Sequence, residues 1–566
     1  MAKQKDVRKT VRIPLVGTFT TRRNAAVTTD QYFHGVMFDE VINTVTNSKH
    51  VFVEKAPTWQ INSGTVIDYP GAGYTPIDMI SLQSHTLPTL VHIWNKTAGG
   101  DASVQVYNSN LNDGELIDDI VWHLNEGFLA GVSFVTITDI TSGAWFLPMD
   151  AITGLTFTGD TTSGTPTITN VSSLTGVYVG QGVSGTGIPA STRIQSIDSA
   201  TQITLTANTT ATNAGITITR TRVAKIIDTD FPTNTVGNFV FLNGRAYIMT
   251  ADGKIYNSAL NDLSSWAASE FISSQAFPDK GVGLMRYSNY IAAFGHDSIE
   301  FFQDVGNPTG SPLQSLSEKS IRAGTLSSKN ICALGDSIYF AGYVSGGSPS
   351  VYVLNNFQLQ RVSNRFVDNY VRENLTSVSA NALTPTLGLV PLTLWGKTFL
   401  LLNNNNSVSY ALDLNNNIWT RSIWQNVVAS TNAFSSSGSV LTKEITYVIG
   451  AGTAGIGEFD VNDTTAYGTT GTIQTVALDF ESSARKRFHK FVLVGDNESS
   501  TATFNVSWSD DGGATFSTAR SVDMNSVKPM LTNLGSAHRR IFKIVGSNGA
   551  AWRLEAMDIT YSEMGF

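Results

Sequence analysis

Residues 507–517 read SWSDDGGATFS, and the spacing Ser509-x-Asp511-x-Gly513-x-Thr515-Phe516 sets a carboxylate beside two hydroxyls and a glycine turn. A carboxylate held this way does general acid or base work on a glycoside only if a second acid faces it at close range. The same residue types also build a hairpin with no chemistry at all. Asp511 accepts hydrogen bonds from N–H groups of its own turn, Gly512 and Gly513 supply the backbone angles, and Trp508 and Phe516 anchor the two strands. Ser509, Asp511, Gly513, Thr515 and Phe516 are therefore read as a structural hairpin.

The spacing matches the Asp-box, a motif of sialidases and related glycan-processing propellers, where it recurs in several blades away from the catalytic centre. Here it occurs once. The remaining candidate chemistry is thin. Asp118-Asp119 and Asp510-Asp511 are adjacent acids, not facing pairs, and the sequence alone does not set Glu300, Glu318 or Glu373 opposite another acid. The eight histidines (34, 50, 85, 92, 123, 296, 489 and 538) follow no zinc spacing, and neither a nucleophile elbow nor a P-loop occurs. Cys332 sits in the apolar run NICALGDSIYF and reads as a buried structural thiol. No catalytic residue, cofactor or metal is expected.

Two basic clusters remain, RKRFHK at 485–490 and HRRIFK at 538–543. Strand alternation puts Arg485, Arg487 and His489 on one face. Arg485, Lys486, Arg487, Arg539 and Arg540 are the candidates to face DNA or an acidic partner; a solvated sheet edge that blocks aggregation is the plainer reading. Near the N-terminus, Lys3, Lys5, Arg8, Lys9, Arg12, Arg22 and Arg23 stand against Asp6 and read as a basic arm that orders on docking.

The elements that position these residues are strands. Only 14% of the 566 residues are charged, and the net charge of −8 argues against a dedicated nucleic-acid binder. No run approaches the ~18–20 apolar residues of a membrane span. The N-terminal MAKQKDVRKTVRIP lacks a signal peptide's apolar run, which points to synthesis and assembly in a cytoplasm. Helical periodicity is weak, its best candidate being LIDDIVWHLNE, around 115–125.

A strand–turn–strand unit recurs at 239–258, 283–302, 330–354, 392–414 and 441–461, with turns at Asn243-Gly244, Ser288-Asn289, Asp336-Ser337, Gly396-Lys397 and Lys443-Glu444. The spacing of roughly 45–60 residues approximates a propeller blade. With a sixth unit in 68–150, the chain reads as all-β: a β-propeller of roughly six blades over 61–151 and 220–465. A row of β-sandwiches is the competing arrangement. Residues 152–219, with 19 Thr and three charged residues, form an inserted small β-domain whose flanks can pair as neighbouring strands. Residues 466–566 form a C-terminal β-sandwich, and 1–60 the basic arm with lead-in strands.

In this order the pieces resemble the tail nozzle, or packaged-DNA stabilisation, proteins of short-tailed bacteriophages. The likeness begins at TTRRNAAVTTDQYFHGVMFDEVINTVTNSKHVFVEKAPTW (20–59), where Lys55-Ala56-Pro57-Thr58 departs from the family's K-R-P-G ending. It is strongest over 228–364, including DTDFPTNTVGNFVFLNGRAYIMTADGKIYNSALNDLSSWAASEF, continues in VYVLNNFQLQRVSNRFVDNYV, and leaves out 152–219. The resemblance implies a virion tail protein without catalytic residues. It implies a ring, usually of six copies, below the portal and adaptor rings, which retains packaged double-stranded DNA and lets it out into the host. Its partners would be the adaptor ring and a tail fibre, tailspike or needle protein. A glycan-binding or sialidase-like propeller acting on host surface sugars is the alternative.

Overall fold

The computed structural model describes residues 7–15, 38–42, 44–47, 52–55, 60–61, 73–82, 89–96, 100–108, 111–117, 121–139 and 143–375 (without 275, 278 and 308). It then describes 387–394, 397–404, 409–415, 417–422, 427–437, 440–450, 457–459, 472–475, 477–496, 502–546 and 552–564. The expected basic residues Lys3, Lys5, Arg22 and Arg23, residues 20–37 of the family likeness and Gly396 of the fourth turn lie outside the described residues.

Four-stranded antiparallel meanders follow one another along the chain. The first comprises Tyr74–Leu82, Thr89–Lys96, Ala102–Asn108 and Leu111–Ile117. The second comprises Val121–Leu129, Val132–Asp139, Ala144–Pro148 and, after a long excursion, Asn213–Lys225. The third spans Thr235–Leu242 to Asp262–Ser273 and the fourth Gly281–Tyr287 to Leu313–Ser315. In the fifth, the strand Ser337–Val344 pairs on its inner side with two short pieces, Ala323–Gly324 and Ile331–Leu334. The sixth runs from Gly388–Leu394 to Ile418–Ser422. The seventh joins Val427–Ser437, Val440–Gly450 and Gly457–Phe459 to Gln60–Ile61, so that a strand from before the first sheet completes the last.

The first strands of these sheets lie against one another, with Val427–Ser437 of the seventh beside Tyr74–Leu82 of the first, which closes the ring. Each apolar cluster sits between two neighbouring sheets. Val91, Ile93, Val135 and Trp145 join the first to the second, Phe146, Phe239 and Trp266 the second to the third, and Val240, Leu284 and Phe302 the third to the fourth. Phe294, Phe301 and Phe340 join the fourth to the fifth, and Cys332, Leu400 and Trp419 the fifth to the sixth. Each Leu, Ile or Phe buried this way contributes about 1.5–3 kcal/mol. Stacking of consecutive sheets around a common axis is the architecture of a β-propeller.

The strand assignments sharpen three expectations. Residues 68–150 hold strands of two sheets, so seven meanders of four or more strands are found among the described residues where the spacing suggested roughly six. The fourth strand of the second sheet lies beyond the insertion, which hides that blade from a spacing count. The segment read as a helix, 115–125, is divided between Leu111–Ile117 and Val121–Leu129, each fixed by ladder pairing. The turn placed at Lys443-Glu444 is inside a strand that begins at Val440. The chain's α-helix among the described residues is Arg365–Asn374, capped by the Asn364 side chain accepting from Phe366 and Val367 N–H.

The insertion leaves the second sheet after Pro148 and returns through Asn213–Lys225. This long strand pairs with Thr156–Thr161 near its start and with Trp145 and Phe146 at its end. The insertion carries its own core of Phe157, Ile168, Ile194, Ile203 and Ile218.

The C-terminal region is two packed sheets. One centres on Arg553–Glu563 and Lys486–Asp496, the other on Ile541–Gly546 and Thr503–Ser509. Both recruit N-terminal strands: Lys9–Pro14, Thr44–Asn47 and Phe52–Lys55 join the first, Phe38–Ile42 the second. The arm expected at 1–60 therefore contributes strands to this sandwich. Ile13 and Leu15 are buried in its core, while Lys9 pairs with Glu563 and Arg12 grips Asp558 with two bonds of 2.8 and 2.9 Å. The propeller is thus inserted between the two halves of the sandwich.

Candidate functional site

Two polar constellations stand out, one on the propeller axis and one in the distal sandwich. On the axis, the inner strand of the fifth sheet is interrupted between Gly324 and Ile331, and residues 325–330 bulge inward. Their short 3₁₀ turn, Ser328–Asn330, is started by the Ser327 hydroxyl, which accepts from Lys329 N–H.

This turn touches most of the inner strands around it. Lys329 Nζ lies 3.3 Å from Asp78 of the first blade and 3.4 Å from the Ile77 carbonyl. Ser328 Oγ lies 2.8 Å from His123 Nε2 of the second blade. Ser328 Cβ abuts Gly283 of the fourth blade, and the Lys329 carbonyl abuts Gly388 of the sixth. Gly237, at φ +70°, meets the backbone of Gly283 so closely that a Cβ would stand 2.6 Å from its Cα. Only glycine permits that approach. The turn thus packs against inner strands of the first, second, fourth and sixth sheets.

The charges at this contact are compensated. Asp78 Oδ2 also accepts from Leu124 N–H and faces His123 Nδ1 at 3.7 Å. Burial works against its ionisation, but Lys329, His123 and the Leu124 N–H outweigh it and hold the carboxyl at about 2. Burial, and then Lys329, push His123 down to about 4 despite Asp78, so the imidazole is neutral at pH 7. Asp78, His123 and Ser328 follow the order of a hydrolase triad. Here Ser328 is buried against Gly283, and the Asp78 carboxylate is shared with Lys329. No local pattern marks this grouping, because its members lie 45 to 251 positions apart.

In the distal sandwich, the two basic segments meet: Lys486 pairs with Ala537 and Arg487 with Ser536. Alternation turns Arg485 and Arg487 outward, with His489 half-buried on the same face, while Lys486 and Phe488 point in. Lys486 and Arg540, expected to face a partner, are buried. The Lys486 amine donates to the Ser482, Ala484 and His538 carbonyls at 2.5, 2.9 and 3.0 Å, and burial lowers its pKa. Arg540 binds Asp510 through two bonds of 2.7 and 2.8 Å and donates to the Leu534 carbonyl. Its guanidinium lies over Phe488 and Trp508. Arg485, Arg487 and Arg539 remain exposed.

The Asp-box forms the connection between Thr503–Ser509 and Arg520–Asp523. Asp511 accepts from Ser509 Oγ at 2.7 Å, Thr515 N–H at 2.9 Å and Thr515 Oγ1 at 2.6 Å. These bonds, led by the Thr515 hydroxyl, hold its carboxyl well below the usual carboxylate range. Gly513 N–H donates to Ser509 Oγ, and Gly512 and Gly513 take φ of +79° and +94°. Trp508 packs on the sandwich core, and Phe516 is half-buried under Lys543. Both Asp511 oxygens are occupied within the loop, and the neighbouring acid, Asp510, is held by Arg540. Cys332 is buried between the fifth and sixth sheets, its thiol pushed up to about 12. Among the described residues no group of three or more His, Cys, Asp or Glu is placed to hold a metal ion. Nor is any helix there long and apolar enough to cross a membrane.

No curated protein matches the sequence. Among solved structures, the Phage phi92 endosialidase aligns at 12% identity and TM-score 0.28, over 62% of this chain and 64% of that one. The chain thus spans less than two thirds of the endosialidase's length. A computationally designed protein, Ika8, aligns at 10% identity and TM-score 0.31, over 69% of this chain and 98% of that one. Likenesses at this level carry no argument about function. A family model does match, over residues 167–387, from inside the Thr-rich insertion through the fifth blade and its helix. The insertion, which the sequence resemblance left out, is therefore partly within the match. Over these residues the chain is similar to the phage stabilisation family described as bacteriophage P22 Gp10, β-propeller.

Proposed function

We propose that the chain is a structural subunit of a short phage tail, a nozzle protein whose copies form a ring, about six in the resembling family. The ring would lie below the portal and adaptor, continue the DNA channel, retain packaged DNA and release it into the host. The match of the propeller region to a phage stabilisation family carries the reading. Ser328 and Lys329 reach inner strands of the second and first sheets, and this supports a reading in which duplex DNA passes between copies and not through a propeller. A net charge of −8 suits a wall along which DNA slides, since many phosphate contacts would hold it. The role is structural and not catalytic, and the distal sandwich with its exposed Arg485, Arg487 and Arg539 is the face for a tail fibre, tailspike or needle. The virion tail is its location, after synthesis in the host cytoplasm.

The test is the native mass of the purified protein, alone and mixed with the adaptor ring it caps. A ring of about six copies, formed at least on the adaptor, is expected. A strict monomer in the adaptor's presence, or hydrolysis of sialosides, would contradict the reading.

A further inference from the structure

Beside the buried Lys486 and Arg540, the distal sandwich opens into a cleft of about 800 Å³, within the range of small-ligand sites. Arg485 and Arg539 line it, and among the described residues neither guanidinium has a hydrogen-bond or ion-pair partner. Arg539 lies along the glycine turn of the Asp-box, its NH2 3.9 Å from where a Gly512 Cβ would stand.

The walls are held from within. The Lys486 amine ties the Ser482 and Ala484 carbonyls on one wall to that of His538 on another. The Arg540–Asp510 pair fixes the Asp-box wall, and His538 Nδ1 meets the Ser483 carbonyl at 3.0 Å. Two unpaired guanidinia thus line one framed cleft, and a guanidinium fork is suited to recognition of a planar anion.

The same cleft also carries carboxylates and hydroxyls. Asp479 and Glu481 line it, with Ser482, Ser483 and Ser536. A polyanion such as duplex DNA would meet these carboxylates repeatedly and be repelled. A small molecule with one acidic group and several hydroxyls finds both arginines for its charge and acceptors and donors for its hydroxyls in this lining.

We propose that this cleft binds an acidic saccharide unit, with Arg485 and Arg539 holding its carboxylate and Asp479, Glu481 and the serines its hydroxyls. The proposal rests on the cleft's own geometry and not on the nozzle reading.

The experiment is calorimetric titration of the full chain with glucuronate, galacturonate and N-acetylneuraminate, against glucose, galactose and inorganic phosphate. At least one acidic sugar should bind at least tenfold more tightly than its neutral counterpart and than phosphate. Arg485→Ala and Arg539→Ala should each weaken that binding at least tenfold with an unchanged melting temperature, whereas Arg487→Ala, outside the cleft, should not. Arg539→Lys should retain part of the affinity. Three results would overturn the proposal: acidic sugars binding no better than neutral ones or not at all, phosphate alone binding as well, or binding indifferent to both arginines.

Discussion

At the propeller axis Lys329 meets Asp78 and His123 meets Ser328 in a buried bore, whereas at the distal cleft Arg485 and Arg539 face open space. Both regions also contain a cation with a carboxylate partner, the half-buried Lys329–Asp78 pair in one and the buried Arg540 with the exposed edge of Asp510 in the other. The difference lies in what surrounds the pair. On the axis the neighbouring polar groups come from different blades and are directed at one another, which closes the ring across its centre. In the sandwich the buried pair is a frame, and alternation along Arg485–Arg487 leaves further cations outside it. The first arrangement produces rigidity, the second a surface.

That contrast is breakable by substitution. The largest expected effect is from Asp78→Ala, which removes the carboxylate that Lys329 and His123 share; removing one partner of a buried pair costs about 3–5 kcal/mol. Denaturant unfolding should show the loss in the propeller's transition and leave the sandwich's in place. Arg540→Ala should do the reverse, at about 3 kcal/mol, because Asp510 is partly exposed and recovers water. If either variant shifts both transitions equally, the two regions are not independent.

Acidification separates the regions in another way. His123 titrates at about 4 in the folded chain against about 6.5 when unfolded. Between those values the unfolded chain binds the extra proton, so stability contributed by the neutral imidazole is full above pH 6.5 and is lost as the pH falls toward 4. His92, buried beside Trp94 Nε1 and lowered to about 3 by burial, acts in the same sense. The propeller's transition should weaken by on the order of 3 kcal/mol per histidine across that window, and His123→Gln should flatten the dependence.

A smaller effect is expected from Asp511→Ala. It should lower the sandwich's stability by less than Arg540→Ala, with no loss of any turnover, because Asp511 supports an exposed loop. A selective loss of hydrolysis with folding intact would show the motif to be catalytic. Arg487→Ala, an exposed strand position, should change stability by no more than about 0.5 kcal/mol.

Much of the fold was written in local signals. Asn243 and Ser288 adopt the positive φ that their hairpins require, and the 485–489 alternation correctly divided outward from inward faces. Other features were legible but overshadowed. Ile13 and Leu15 alternate as core residues, yet the lysines and arginines around them suggested a loose arm. Val367, Tyr370 and Val371 follow the helical period behind an Asn cap. Burial of Lys486 was implied by the same alternation that exposed Arg485. The axial contact was not legible, because closure of a ring, and no local pattern, brings Asp78, His123 and Ser328 together. The second blade was hidden by the insertion between its third and fourth strands.

The central claim, that copies of this chain surround DNA while each propeller's own bore stays shut, is tested most directly by an electron cryomicroscopy map of the DNA-filled particle's tail. The account predicts propellers arranged around a common channel, DNA density on the ring's axis, and continuous protein density across each bore at Ser328–Asn330. DNA density inside a propeller, or a single copy of the chain off the channel axis, would contradict it.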